Sequence, residues 1–210
     1  ITPLAKLENL TTLCIDGTAV TDVTCLADAK NLSTLSINNL KQPLQQDSLA
    51  VLTQLKYLSV TKDKLNNLAF VQNMSELTEL DASDNEITDI SALVGCKKIS
   101  KLTLNNNQIT DISSLADSDG SLESLYLSNN PIEDLEPLRG KLESFRIFEC
   151  NEANLMDISV LEDSYEMHTL FVDNNKIENL DALREKNNLY NLSACNNIIT
   201  DISVLASCHK

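Results

Sequence analysis

A single spacing governs this chain. The pentapeptide ITDIS begins at Ile87, Ile109 and Ile199, inside a longer unit that returns about every 22 residues. LTELDASDNEITDISAL runs from Leu77 to Leu93, ISKLTLNNNQITDISSL from Ile99 to Leu115 and LESLYLSNNPIEDLEPL from Leu122 to Leu138. MHTLFVDNNKIENLDAL runs from Met167 to Leu183, and LYNLSACNNIITDISVL from Leu189 to Leu205. Weaker copies starting at Leu10, Leu32, Leu55 and Leu142 give nine starts: 10, 32, 55, 77, 99, 122, 142, 167 and 189. A period held over 210 residues demands a stack, because one coil cannot bury its own apolar edge and its neighbours must.

Each position of the unit has a physical role. Apolar residues occupy positions 1, 4, 6, 11, 14 and 17 of the strong copies. Positions 4 and 6 alternate with polar 3, 5 and 7, the two-residue period of a strand with one buried face. Position 9 is Asn in five copies: Asn85, Asn107, Asn130, Asn175 and Asn197. An amide both donates and accepts, so stacked copies can satisfy the backbone of a buried turn. Asp22, Asp89, Asp111, Asp134, Asp157 and Asp201 precede the next apolar residue and are suited to capping a short helical turn on the return side.

These residues resemble the leucine-rich repeat, LxxLxLxxN, in its short 22-residue class. I-x-D-I-x-x-L at this spacing is similar to bacterial internalins and to a eukaryotic phosphatase-regulating relative. The resemblance covers essentially the whole chain. It implies an α/β solenoid: a leucine-rich-repeat horseshoe with a curved parallel sheet on the concave side and short helical or extended segments on the convex side. It also implies protein binding through the concave sheet. The whole of 1–210 is read as one such domain, with a partial repeat over 1–9, and is expected to be a fragment of a longer protein: Ile1-Thr2-Pro3-Leu4 matches positions 14 to 17 of a preceding copy, and Leu7 matches position 20.

Two repeats depart from the pattern. Leu40 stands at the Asn position of the second, and Leu49 and Leu52 follow Asp47 as if Asp47 were an N-cap. The seventh, started at Leu142, is longer by three residues, with Cys150 at position 9 and Asn151-Glu152-Ala153-Asn154 as an expected bulge.

Charge and composition remove several functions. The net charge is −15, from 16 Lys+Arg against 31 Asp+Glu, which disfavours nucleic acid and anionic membranes. No apolar run reaches the ~20 residues of a membrane span. Catalysis requires converging groups. The chain has two histidines, His168 and His209, and His168 lies roughly 17 Å along the strand direction from Cys195. Four glycines form no phosphate-binding loop, and no Cys/His spacing suits zinc. The segment is therefore read as no enzyme, with no cofactor and no metal.

The six cysteines are expected as free thiols. Cys96 and Cys208 share position 20, five coils apart, roughly 24 Å, too far to bridge. Unpaired thiols lean toward a reducing setting. The N-L-T, N-L-S and N-M-S tripeptides at Asn9, Asn31, Asn191 and Asn73 arise from the repeat itself and carry no weight as glycosylation sites.

On this register the concave rows are mostly small and polar except in repeats 6 to 8, where Tyr126, Arg146, Phe148 and Phe171 gather. Arg146 is expected between Tyr126 and Phe171, with His168, Asp173 and Tyr190 as a rim. Aromatic residues and Arg dominate binding hot spots. The expected function is a non-catalytic recognition or adhesion module of a secreted or surface bacterial protein. Its expected partner is a protein, with a glycan or a second copy of the chain on the aromatic patch as alternatives. A cytoplasmic regulatory or scaffold subunit, or a targeting module of a larger enzyme, are the rival readings.

Overall fold

The structure, a computed structural model, describes residues 8–117 and 122–208. The segment from Ile1 to Leu7 and His209 lie outside the described residues. Nine three-residue strands are described: β1 (Thr12–Cys14), β2 (Thr34–Ser36), β3 (Tyr57–Ser59), β4 (Glu79–Asp81), β5 (Lys101–Thr103), β6 (Ser124–Tyr126), β7 (Ile147–Glu149), β8 (Thr169–Phe171) and β9 (Asn191–Ser193). They form one parallel sheet in chain order, β1 to β9. Between strands the chain returns through short 3-10 segments such as Thr24–Asp28, Ser91–Gly95 and Ser203–Ser207.

The strand pairings align equivalent residues. Leu13, Leu35, Leu58, Leu80, Leu102, Leu125, Phe148, Leu170 and Leu192 form one column pointing into the core. Position 6 gives a second buried column that includes Ile37, Val60, Ala82, Leu104, Leu127, Cys150 and Val172. The return side closes the core with Ile90, Leu93, Ile112, Leu115, Leu135, Leu138, Ile158, Leu161, Leu180 and Leu183. The six aspartates at position 13 each accept the amide two residues on, at 2.7–2.8 Å, which fixes the entry to the 3-10 turn. For Asp22, Asp89 and Asp201 these amide bonds hold the carboxyl below its usual range. Asp47 has no such role: it sits inside the segment Gln46–Leu49, after Gln45, and Leu49 and Leu52 are buried.

The asparagine ladder is a set of bonds between coils. Nδ2 of Asn85 donates to the carbonyls of Val60, Ala82 and Ser83 at 2.8, 3.0 and 3.1 Å. Its Oδ1 accepts the amides of Asp63 and Leu65 in the preceding coil. Asn107, Asn130, Asn175 and Asn197 repeat this pattern. A second ladder runs along position 7. Asp16, Asn38, Asn105, Ser128, Asn151 and Asp173 each accept the position-7 amide of the next coil, at 2.6–3.0 Å. Between the two rows the backbone turns left-handed: Gly17, Asn39, Lys62, Asp84, Asn106, Asn129, Glu152, Asn174 and Asn196 all have φ between 52° and 65°. Asn and Gly tolerate that conformation, whereas Lys62 and Glu152 occupy it because the coil requires it.

The seventh coil differs from the sequence expectation. Ser124 pairs with Ile147, Leu125 with Phe148 and Tyr126 with Glu149. The coil therefore starts at Phe145, not Leu142, and the spacings on either side become 23 and 22. There is no insertion. Leu142 is the last core residue of coil 6 and is buried, as Leu52 is in coil 2. Cys150 is a buried position-6 residue rather than a ladder residue, and Ala153 stands at the ladder position. Leu142, Phe145 and Ile147 imitate positions 1, 4 and 6 in sequence, but only a start at Phe145 places Leu155, Ile158 and Leu161 in the core columns.

Coil 3 carries an aspartate, Asp63, at the ladder position. Its Oδ1 accepts the amide of Leu40, but its Oδ2 is buried without a partner where Asn has a donor. Burial raises the Asp63 carboxyl above its usual value, the Leu40 amide opposes this, and Asp16 adds repulsion. A carboxyl with a raised folded-state value binds more protons folded than unfolded, so it costs stability as pH rises through that window. Asp63→Asn is expected to stabilise the domain by about 1–2 kcal/mol at pH 7 by restoring the donor. In urea titrations the gain should shrink as pH is lowered toward 3.8, where Asp63 is increasingly protonated in both states. An equal gain at both pH values, or none, would show that Oδ2 is not the cause.

Candidate functional site

The concave surface is built from positions 2, 3, 5 and 7, since positions 4 and 6 are consumed by the core. Over coils 1 to 5 these positions are small or hydroxylic for the most part, and many are tied into the position-7 ladder. Ser36 Oγ donates to Asp16 at 2.8 Å, and Ser59 Oγ donates to Asn38 at 2.9 Å. Larger side chains gather over coils 6 to 9, the region singled out from the sequence.

The structure brings most of those residues together but arranges them differently. Tyr126 and Phe171 lie at position 5, half-buried, as expected. Phe148 does not face solvent. It is 0% exposed in the core column between Leu125 and Leu170, and its ring centroid is 5.7 Å from that of Phe145. The shift in coil 7 is the reason. Arg146 moves for the same reason, from between Tyr126 and Phe171 to position 2 at the start of the strand row. Glu149 takes the place between the two rings: Tyr126 pairs with Glu149, and Glu149 with Phe171.

Position 2 becomes a second row: Glu123, Arg146, His168 and Tyr190. Arg146 Nη1 lies 3.6 Å from Glu123 Oε2, a solvated ion pair of small energetic weight. The His168 and Tyr190 rings stack with centroids 5.0 Å apart and planes 15° apart. Tyr190 remains 72% exposed. This row edges a cleft of about 430 Å³ lined by Arg146, Glu166, His168, Asn187, Asn188, Leu189 and Tyr190. Asp173 is at position 7, as expected, but its carboxylate is engaged. It accepts Ser193 Oγ at 2.7 and 2.8 Å and the Cys195 amide at 2.6 Å.

Ile147 at position 3 is a half-buried apolar member of the patch that sequence reading missed, because the wrong register put it in the core. Lys186 was also missed. It occupies position 20, the row of Met74, Cys96 and Cys208, and is 0% exposed. Its ammonium donates to the Glu162 carbonyl and lies 4.2 Å from the Tyr165 ring centroid. Burial pushes the Lys186 amine below its usual value, against the pull of Asp163 and Glu162. Its position among apolar residues was the available signal.

The six cysteines carry free thiols. Cys96 and Cys208 donate to the carbonyls of Val71 and Leu183 at 3.2 and 3.3 Å. Burial raises Cys96 to about 11 and Cys150 to about 12, so both are poor nucleophiles. His168 Nδ1 is 3.2 Å from Thr169 Oγ1, and Cys195 Sγ is 3.8 Å from Ser193 Oγ, so neither engages the other. Among the described residues no group of three or more His, Cys, Asp or Glu is placed to hold a metal. Among them no helix is long and apolar enough to cross a membrane.

Comparison with known proteins agrees with this architecture. The family model described as leucine rich repeats (2 copies) matches residues 75–117. An internalin (inlF) from Listeria monocytogenes has 28% identity and a TM-score of 0.79, over 99% of this chain and 74% of that one. Internalin C2 of the same species has 25% identity and a TM-score of 0.76, over 98% and 80%. The plant peptide hormone receptor RGFR1 in complex with RGF2 shares the fold at 18% identity and TM-score 0.79, over 99% of this chain and 36% of that one. No curated protein sequence gives a significant match.

The revised register makes a contrast that stability measurements can read. Phe148→Ala is expected to cost about 3–5 kcal/mol, the value for emptying a packed aromatic core site. Phe171→Ala should cost roughly 1–2 kcal/mol, since its ring is half-buried on the sheet face and leaves no enclosed cavity. Chemical denaturation of the two variants checks this, and equal losses would contradict the placement of coil 7.

Proposed function

We propose that this internalin-like leucine-rich-repeat domain is a non-catalytic module that recognises a protein partner through the concave and rim surface of coils 6 to 9. Leucine-rich-repeat solenoids typically serve protein interaction, and a sheet pinned by ladders presents preorganised side chains, which lowers the entropy cost of binding. The observation that carries the reading is the gathering of Tyr126, Ile147, Phe171, Arg146, His168 and Tyr190 on one surface of a chain with only 4% aromatic residues. Accessible aromatic rings, from half-buried Tyr126 and Phe171 to exposed Tyr190, beside an arginine are the usual composition of a binding hot spot. Asp173 borders the patch on the same face and ties coil 9 to coil 8.

The resemblance to internalins favours a secreted or surface-exposed bacterial setting. Six free thiols favour the alternative, an intracellular scaffold. Counting reactive thiols in protein isolated natively from its source separates the two, since an oxidising compartment would modify the exposed Cys14 and Cys195 first.

Affinity capture with the intact domain tests the site. Tyr126→Ala/Phe171→Ala and Arg146→Ala/Tyr190→Ala should each weaken partner capture at least tenfold while leaving the circular dichroism spectrum and thermal midpoint close to the parent. Undiminished capture by both double variants would move the site elsewhere on the solenoid.

A further inference from the structure

The exchange of Arg146 for Glu149 in the middle of the aromatic patch changes the sign of what the patch attracts. Tyr126, Glu149 and Phe171 are successive members of the position-5 row on β6, β7 and β8. Adjacent strands are about 4.8 Å apart, so the two flanking strands stand roughly 9.6 Å apart with the Glu149 strand between them. A group seated over Glu149 would have a strand bearing an aromatic residue about 4.8 Å to either side, a spacing compatible with the ~6 Å reach of a cation–π contact. Among the described residues the ring contacts are Phe145 with Phe148, His168 with Tyr190 and Lys186 with Tyr165, and neither Tyr126 nor Phe171 takes part in one.

The carboxylate is held in place and lacks a counter-charge. Glu149 Oε1 accepts Ser128 Oγ at 3.0 Å, and Ser128 Oγ in turn accepts the amide of Asn151 at 3.0 Å. Among the described residues no lysine or arginine is ion-paired with Glu149. Arg146, the nearest cation along the chain, is paired instead with Glu123 in another row. Asp173, one coil on, adds a second negative charge beside Phe171. The whole chain carries −15, so no long-range field opposes a cation's approach.

We propose that Tyr126, Glu149 and Phe171 form a seat for an arginine side chain of the partner, its guanidinium paired with the Glu149 carboxylate and flanked by the two rings. The inference rests on the binding role argued above and supplies its chemistry. A planar guanidinium suits this seat better than an ammonium, because it can pair with a carboxylate through two N–H groups and stack on an aromatic face at once.

The test uses the intact domain and two small probes. N-acetyl-arginine methylamide carries the guanidinium, and N-acetyl-citrulline methylamide is its uncharged isostere. Titration followed by amide NMR should show saturable shifts at Tyr126, Glu149 and Phe171 with the arginine probe. The citrulline probe should bind at least tenfold more weakly. Glu149→Gln keeps an oxygen to accept from Ser128, so the fold is preserved, and it should weaken the arginine probe at least tenfold. Equal binding of the two probes, shifts centred elsewhere, an unchanged Glu149→Gln protein, or no saturable shift would each overturn the seat. Partner capture separates the two levels of the argument. If Glu149→Gln captures as the parent does while Tyr126→Ala/Phe171→Ala fails, the arginine seat falls and the aromatic surface stands. If both variants capture normally, the surface itself is misplaced.

Discussion

The fold depends on how a sharp turn can be buried without stranding its backbone. Each coil bends immediately after its strand, and the carbonyls and amides at that bend point into the stack, where water cannot reach them. An unmade hydrogen bond there costs about 1–3 kcal/mol, and there is one such bend per coil. Asparagine solves the problem because one planar group donates twice and accepts twice. Asn85, Asn107 and Asn130 each close their own bend and at the same time take the amide of the coil before. The leucine columns supply the hydrophobic driving force, but they would tolerate sliding. The amide ladder does not, and so it fixes the phase in which the coils stack.

That division of labour explains what sequence reading could and could not recover. The solenoid, its strand rows, the Asn ladder and the Asp-capped turns were legible because each is written in periodic residue types. Coil 7 was not, because it lacks the ladder marker: Ala153 stands where Asn stands elsewhere, so only apolar spacing remained to set the phase. Leu142, Phe145 and Ile147 satisfy that spacing three residues too early. The structure decides by volume. Phe148 fits the column between Leu125 and Leu170 and packs against Phe145, and Cys150 continues the column of Leu127 and Val172.

One shift of phase has a large effect on the surface. Tyr126, Phe171, His168, Asp173 and Tyr190 keep their expected rows, since their own coils carry clear markers. Arg146 and Phe148 leave the centre of the patch, and Glu149 and Ile147 enter it. The stacking of His168 on Tyr190 and the cleft beside them were not visible in the sequence, because they depend on rotamers and on the loop at Asn187 and Asn188. Lys186 was hidden for a different reason: a lysine in an apolar row reads as an error of alignment until its ammonium is seen against the Glu162 carbonyl and the Tyr165 ring.

The ladder also gives the molecule a direction. Every position-9 asparagine reaches backward: Asn175 serves Leu155 and Cys150, and Asn197 serves Ile177 and Val172. Loss of an asparagine rung is therefore felt in its own bend and in the preceding one, and opposite the gap at Ala153 the Ile132 amide of coil 6 donates to the Asn130 carbonyl instead. The position-7 row reaches the opposite way, each acceptor serving the coil that follows, so two antiparallel sets of side-chain bonds clamp every coil from both sides even though the hydrophobic packing is indifferent to which end it is viewed from.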